Sequence, residues 1–108
     1  MKGLELKDVI SDIRTIISQN DAPIKRVGIF GSLVRGEIRE ESDIDIAVEY
    51  DYVQGDEHNF GKFVNFCKAC ETLSDIMSGI YGRKIDVVEI EEKPGSFIDE
   101  IRSEVVWI

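Results

Sequence analysis

The sequence predicts an α/β domain with a small sheet, and three features of the chain support this fold class. Stretches with apolar residues at every third or fourth position, typical of amphipathic helices, alternate with short apolar runs typical of strands. The chain of 108 residues has room for one domain, and no repeat or linker divides residues 1–108. The predicted order of elements is therefore α-β-α-β-α-β-α within a single domain.

The first half of the chain is predicted to supply two helices and two strands. Residues 4–17 carry apolar side chains mostly at three- and four-residue spacings and predict a helix. Residues 25–30 predict a short strand that leads into a glycine. A short helix is expected to begin near Ser32 and to end at Gly36. Residues 44–49 predict the second strand.

The second half is predicted to contain the longest helix. Residues 51–59 are mostly polar and predict a loop before it. The helix is marked by eight side chains whose spacing predicts a buried stripe: Phe60, Phe63, Val64, Cys67, Cys70, Leu73, Met77 and Ile80. Gly82 is expected to end this helix, and residues 84–90 predict the third strand.

The end of the chain predicts a turn, a last helix and an apolar tail. Pro94-Gly95 is the expected turn. Ser96 could cap a helix that includes Ile101. The tail, residues 105–108, is apolar, and we expect it to pack back onto the domain.

The charge balance limits the classes of partner. The chain has 13 basic and 22 acidic residues, a net charge of −9. Such a surface repels phosphate backbones, so a direct nucleic-acid partner is not expected. An acidic surface can also serve solubility alone. No apolar run approaches the roughly 20 residues needed to cross a bilayer, and the N-terminus lacks a secretory apolar core, so a cytoplasmic location is expected.

Cys67 and Cys70 form the only cysteine pair. A structural zinc site needs four ligands, and the sequence offers no second pair. Both cysteines are predicted to be reduced core residues of the long helix, with a redox role as the alternative.

The first candidate site residues are Asp43 and Asp45. Residues two apart on a strand point to the same face, so both carboxylates are expected on one side of the sheet. Two such charges repel each other unless a cation lies between them. Oxygen ligands without a nearby His or Cys favour Mg²⁺ or Mn²⁺. A solvated strand face would explain the same pattern.

Gly31 and Ser32 follow a strand and open a short helix. Free backbone N–H groups at that point attract phosphate, glycine permits a close approach, and the Ser32 hydroxyl can donate a hydrogen bond. Ser32 could instead be only an N-cap. The chain has no Gly-Lys-Ser/Thr, so this is not a Walker loop.

Asp86 interrupts an otherwise apolar strand, where a charge is costly unless it is paired or bound to a metal. If its strand lies beside that of Asp43 and Asp45, the three carboxylates can converge on two metal ions. Two ions about 3.5–4 Å apart can clamp the attacking and leaving oxygens of a displacement at phosphorus.

Gly31-Ser32, ten intervening residues and Asp43-Ile44-Asp45 together resemble the motif of the DNA polymerase beta-like nucleotidyltransferase superfamily. The surrounding Arg35-Gly36-Glu37 and the strand after Ser42 are similar to the minimal nucleotidyltransferases of bacteria and archaea. The resemblance covers nearly the whole chain.

This resemblance implies a mixed sheet with helices against one face and the carboxylates on the other. Asp43 and Asp45 would bind both Mg²⁺ ions, while Asp86 would bind one and help to deprotonate the attacking hydroxyl. Gly31 and Ser32 would hold the β- and γ-phosphates of a nucleoside triphosphate, with ATP the expected one. NMP would pass to an acceptor and pyrophosphate would leave. Arg35 is a further candidate phosphate contact, although exposed arginines are commonly only solvated.

Families of this kind resemble the antitoxin of a two-gene system whose toxin is an all-helical HEPN-domain ribonuclease. The resemblance implies transfer of AMP to a tyrosine of that toxin. The acidic surface would complement a basic partner. In addition, no second domain is expected over the face that Ala47, Val88 and Ile90 share with the aspartates.

Two other functions remain open. The acceptor could be a small hydroxyl compound such as an aminoglycoside, although relatives of that kind usually carry an added helical domain. Alternatively, the chain could be a non-catalytic module that neutralises a partner by contact.

Overall fold

The computed structural model describes residues 4–19, 23–51, 60–90 and 101–108. The helices are α1 (Leu6–Ser18), α2 (Ser32–Arg35) and α3 (Phe60–Tyr81), and the strands are β1 (Ile24–Phe30), β2 (Ile44–Tyr50), β3 (Ile85–Glu89) and β4 (Val106–Trp107). Residues 101–104 are also helical. Nearly all of the predicted loop at 51–59, the turn at Pro94-Gly95 and the cap at Ser96 lie outside the described residues.

The strands form one mixed sheet in the order β3-β2-β1-β4. β2 and β3 are parallel, whereas β1 is antiparallel to both β2 and β4. The parallel pair is possible because α3 forms the crossover between β2 and β3. The predicted mixed sheet with helices is therefore confirmed.

The main core lies between one face of the sheet and the helices α1 and α3. Alternate residues of β2 point into it: Ile44, Ile46 and Val48 are each 0% exposed. They pack with buried side chains of both helices, including Val9, Ile13, Leu73 and Met77. Because the β2 side chains alternate, Asp45 and Ala47 point to the opposite face.

The opposite face of the sheet is partly covered by residues of this chain. Ala47 and Ile90 are buried there with Phe30 and Ile101 in a second apolar cluster, and Trp107 packs against it. The cover comes from the end of the chain, which folds back over the far part of this face.

The predicted packing of the apolar tail is confirmed, and the tail also forms a strand that the sequence did not predict. In β4, Trp107 pairs with Gly28 of β1, and the Ile108 N–H donates to the Val27 carbonyl at 2.9 Å. A Cβ on Gly28 would overlap Val105 and lie 2.9 Å from the Val106 carbonyl oxygen. Glycine at this position therefore permits β4 to approach the sheet.

The buried stripe predicted for α3 is correct only in its second half. Leu73 and Met77 are buried as predicted, together with Phe66, Ala69 and Tyr81. Phe60, Phe63, Val64 and Cys67 are exposed, and Cys70 is half-buried. The prediction was wrong because the first half of α3 is apolar on two sides and only the Phe66 side faces the sheet.

In the described part of the chain, no helix combines the length and the apolar character needed to cross a bilayer.

Candidate active site

Asp45 and Asp86 are direct neighbours on adjacent strands. In the parallel register of β2 and β3, Asp45 pairs with Asp86, and Ile44 pairs with Ile85. Asp43 immediately precedes β2, and the Ile44 N–H donates to the Lys84 carbonyl at 3.1 Å. The structure therefore brings the three predicted carboxylates to one end of one face of the sheet.

The electrostatics of Asp45 show that the three carboxylates influence one another. Burial, followed by the negative charges of Asp86 and Asp43, raises the pKa of Asp45 above its ordinary value. The positive charge of Arg35 acts in the opposite direction. A cation placed at this end of the sheet would relieve the repulsion among the carboxylates.

Gly31 packs directly against Asp45. Its φ of 81° and ψ of −152° lie in a region that is essentially restricted to glycine, and a Cβ at this position would overlap the Asp45 carboxylate. The turn after β1 can therefore approach the carboxylate closely only because residue 31 has no side chain.

The N-cap of α2 is a glycine. Gly31 occupies the N-cap position and Ser32 is the first helical residue, so Ser32 is not the cap. Ser32 is half-buried beside the turn. Gly36 ends the helix in the left-handed conformation, and the Glu37 N–H donates to the Ser32 carbonyl at 2.8 Å. The predicted start and end of this helix are confirmed.

Arg35 is exposed and bound by two carboxylates. Its Nε donates to Glu37 Oε2 at 3.0 Å, and its Nη1 donates to Glu104 of the helical residues 101–104. A phosphate contact from Arg35 therefore requires it to exchange at least one of these partners.

The loop before Asp43 is held by Arg83, which the sequence reasoning did not single out. The Arg83 Nη1 donates to the carbonyls of Arg39, of Glu40 at 3.3 Å and of Ser42 at 2.9 Å. The Arg39 N–H also donates to Ser42 Oγ at 2.9 Å. Arg83, which lies just before β3, thus holds the segment that leads into β2. In the sequence, the only sign of this role is the position of Arg83 just before the strand that carries Asp86. The contribution of Glu104 could not be found from sequence, because it depends on how the chain end folds back.

The donor set suits a hard divalent cation, and its convergence on two ions stays a prediction. Among the residues that the structure describes, no three His, Cys, Asp or Glu side chains form a group that could hold a metal ion as it stands. Asp86 Oδ1 lies 3.6 Å from Lys84 Nζ. Rotation of exposed side chains, without backbone movement, can turn carboxylates on paired residues toward a common ligand.

The comparisons with known proteins begin with the family. The model of the family described as "Polymerase beta, Nucleotidyltransferase" matches residues 11–108. Among curated sequences, a Methanocaldococcus jannaschii protein provisionally named a protein adenylyltransferase is 36% identical over 89 residues, which are 82% of this chain and 79% of the relative. The protein adenylyltransferase MntA of Thermococcus cleftensis is 27% identical over 85 residues, 79% of this chain and 75% of its own.

Solved structures share the fold at lower identity. A crystal structure of a toxin-antitoxin with AMP-PNP matches with a TM-score of 0.64 and 18% identity, over 90% of this chain and 69% of that one. The structure of an MNT antitoxin in complex with a tri-AMPylated Shewanella oneidensis HEPN toxin matches with a TM-score of 0.59 and 15% identity. The match covers 94% of this chain and 69% of that one. The family match spans both β2 and β3, with all three candidate carboxylates. This chain therefore belongs to the polymerase beta nucleotidyltransferase family, and it is a nucleotidyltransferase.

Proposed function

We propose that this nucleotidyltransferase moves AMP from ATP to a hydroxyl group of a HEPN-domain protein partner, with tyrosine as the modified residue, and releases pyrophosphate. The observation that carries the proposal is the pairing of Asp45 with Asp86 beside the Gly31 turn. The names of the Thermococcus relative and of the Shewanella complex support the protein acceptor.

In this mechanism, Gly31 and Ser32 hold the triphosphate. The glycine leaves space beside Asp45, and the Ser32 hydroxyl donates to a phosphate oxygen. Arg35 exchanges Glu104 or Glu37 for a phosphate, because a guanidinium binds phosphate oxygens in the same way as carboxylate oxygens. These three residues orient the α-phosphate toward the carboxylates.

Asp86 accepts the proton of the attacking hydroxyl. The acceptor oxygen forms a bond to the α-phosphorus, the bond from that phosphorus to the pyrophosphate oxygen breaks, and the proton moves to a carboxylate oxygen of Asp86. Lys84 Nζ lies 3.6 Å from Asp86 Oδ1, next to the carboxylate that takes up the proton.

Asp43, Asp45 and Asp86 would hold Mg²⁺, with two ions expected and Mn²⁺ as the alternative. Bound there, the metal would neutralise charge that develops on the phosphate oxygens. The mutual repulsion of the carboxylates supports this assignment, since a cation relieves it.

The test is transfer of AMP to a candidate HEPN-domain partner. The two purified proteins are incubated with Mg²⁺ and labelled ATP, and the intact mass of the partner is measured. Wild type should add the mass of AMP. Asp86→Asn should lower the transfer rate by about 10²–10⁴-fold while Mg·ATP affinity remains similar.

Asp51→Asn is the matched control, because Asp51 is an exposed aspartate that follows the far end of β2. It should transfer AMP at the wild-type rate. If wild type leaves the partner's mass unchanged and Asp86→Asn still neutralises the partner in cells, the chain acts by contact and the enzymatic assignment to this partner is wrong.

A further inference from the structure

The first half of α3 has a second apolar surface that the core does not use. Phe60 is 79% exposed, Phe63 46% and Val64 41%, and Cys67 is also exposed. Their three- and four-residue spacings place them in one stripe along the helix. Phe66, one of the buried residues of the same helix, points in a different direction into the core.

The stripe leads into a cleft of about 410 Å³ between α3 and the sheet. Val48, Phe66 and Val87 provide apolar lining, and the remaining lining residues are Cys67, Cys70, Glu71, Ser74 and Glu89. The cleft lies on the helix side of the sheet because Val48 and Val87 belong to the main core cluster. Asp45 and Asp86 are on the opposite face, so an occupant of this cleft would leave them accessible.

Cys70 contributes apolar lining and not a reactive centre. Burial, followed by the charges of Cys67 and Glu89, raises the pKa of the Cys70 thiol to about 11. A thiol with this pKa stays protonated near neutral pH and is a poor nucleophile and metal ligand. Cys70 can therefore pack against an apolar side chain.

The charges around the cleft select the kind of occupant. Glu71 and Glu89 both line it, and the whole chain has a net charge of −9. A second copy of this chain would bring the same negative charge to the contact, which is unfavourable. A basic segment would instead place its cations beside the two carboxylates.

We propose that the α3 outer surface, formed by Phe60, Phe63, Val64, Cys67 and the adjoining cleft, docks a basic amphipathic helix of a protein partner. The surface from Phe60 to Ser74 extends for about 21 Å at 1.5 Å per residue, or roughly four helical turns. An amphipathic helix presents apolar side chains at matching spacings and buries them in such a surface. A Lys or Arg of the docked helix would lie near Glu71 and Glu89.

This inference goes beyond the proposed function, because it assigns a protein contact on the side of the sheet away from the carboxylates. The docking surface can hold a partner whether or not nucleotide is bound. Its failure and the failure of the transfer reaction can therefore be told apart.

The experiment measures binding of a fluorescent 18-residue peptide to the full chain by anisotropy. The probe has leucines at positions i, i+3, i+4 and i+7 of each repeat and lysines elsewhere. A scrambled peptide of the same composition and a leucine–glutamate helix are the comparison probes. The leucine–lysine helix should bind at least tenfold more tightly than either.

Val64→Glu is the main variant, since Phe63 also contacts the rings of Tyr50 and Phe66. It should weaken peptide binding at least tenfold, and Glu71→Gln should weaken binding and reduce its dependence on salt. Ile76→Glu is the matched control, because Ile76 is 39% exposed on the same helix but outside the stripe and the cleft. It should bind the peptide as wild type does, and all three variants should keep wild-type Mg·ATP affinity.

Equal weakening by Val64→Glu and Ile76→Glu, or equal binding of the scrambled peptide, would overturn the proposal. Sedimentation of the protein alone tests the other occupant. A dimer that Val64→Glu converts to monomer would mean that the surface binds a second copy, and the proposed basic partner would be wrong.

Discussion

At the scale of single residues, the candidate site depends on the contact between Gly31 and Asp45. The backbone of Gly31 lies where a side chain would overlap the carboxylate. The repulsion that Asp45 receives from Asp86 and Asp43 is retained in the folded state. The repulsion costs stability and favours a bound cation, while the missing side chain at Gly31 leaves space beside the carboxylate; a cost of this kind is expected at a functional site.

Replacement of Gly31 by Ala should abolish most AMP transfer. The added Cβ overlaps Asp45, and the backbone conformation at this position is essentially restricted to glycine. Gly36→Ala is the control, since Gly36 also has a positive φ but a Cβ there meets nothing within 4 Å. Gly36→Ala should cost about 1–2 kcal/mol in urea denaturation and retain transfer. Wild-type transfer by Gly31→Ala would contradict the role of this turn.

Asp45→Asn should make the metal-free protein equally or more stable at neutral pH while transfer is lost. The folded state binds the Asp45 proton more tightly than the unfolded chain does, because the pKa is raised. The stabilising contribution of Asp45 is thus fully present below the ordinary aspartate pKa of about 3.9 and is lost as pH rises through the raised pKa. Asparagine does not ionise.

Melting temperatures in EDTA between pH 3 and pH 8 check this expectation. The difference between variant and wild type should move in favour of Asp45→Asn as pH rises above about 3.9 and then become constant. A difference in melting temperature that does not change with pH would contradict the raised pKa of Asp45 in the folded protein.

At the scale of secondary-structure elements, local patterns predicted the helices and three strands but not how each is covered. The ends of α2 were predictable because glycines flank the helix. The strands β1 to β3 were predictable because each is a short, mainly apolar run. The strand β4 was not predictable, since two residues are too few to show the alternating pattern of a strand. This strand can pair with β1 only because Gly28 leaves space for it. The exposed stripe of α3 was wrongly predicted to be buried. The spacing of apolar residues identifies an apolar side of a helix but does not show what packs against that side.

Gly28→Ala should displace β4 from the sheet. The new Cβ would meet Val105, the Val106 carbonyl and the Trp107 ring, and overpacking of this kind costs about 1–3 kcal/mol. Trp107 is the only tryptophan, so its fluorescence reports directly on β4. We expect a red-shifted emission and a lower midpoint of urea unfolding.

Gly79→Ala serves as the control for Gly28→Ala. Gly79 lies within α3, and a Cβ there meets nothing within 4 Å. Alanine should stabilise the helix by about 0.5–1 kcal/mol and leave the tryptophan emission unchanged. If Gly28→Ala also leaves the emission unchanged, β4 does not depend on the missing side chain.

At the scale of the whole molecule, the sheet separates two surfaces with different chemistry. The carboxylates lie on one face, and the α3 outer surface lies on the side that α1 and α3 cover. The sequence could predict that Gly31 and Ser32 lie at a turn and that Asp43 and Asp45 lie together, because the Gly-Ser and Asp-x-Asp motifs are local. It could not predict that Glu104 reaches Arg35, since this contact joins distant segments of the chain.

Mg²⁺ should increase the affinity of the whole protein for ATP at least tenfold, or about 1.4 kcal/mol. A polyanionic triphosphate approaches a chain with a net charge of −9 and three clustered aspartates, so a divalent cation is needed to offset their repulsion. Calorimetric titrations with Mg²⁺ and with EDTA measure the difference. Equal affinity in both would count against the site at Asp43, Asp45 and Asp86.

The parallel pairing of β2 with β3 also determines when the site comes into existence during folding. Asp45 and Asp86 lie on strands that are separated along the chain by the whole of α3, and they become neighbours only after this long crossover has closed. Closure of such a connection costs chain entropy before the pairing is gained, so parallel strands form slowly relative to local helices. A nascent chain that still lacks β3 has the Gly31 turn and two of the carboxylates but no third. The proposed three-carboxylate site therefore forms only with the completed sheet, and a local opening of β3, an edge strand of the described sheet, is enough to disrupt it.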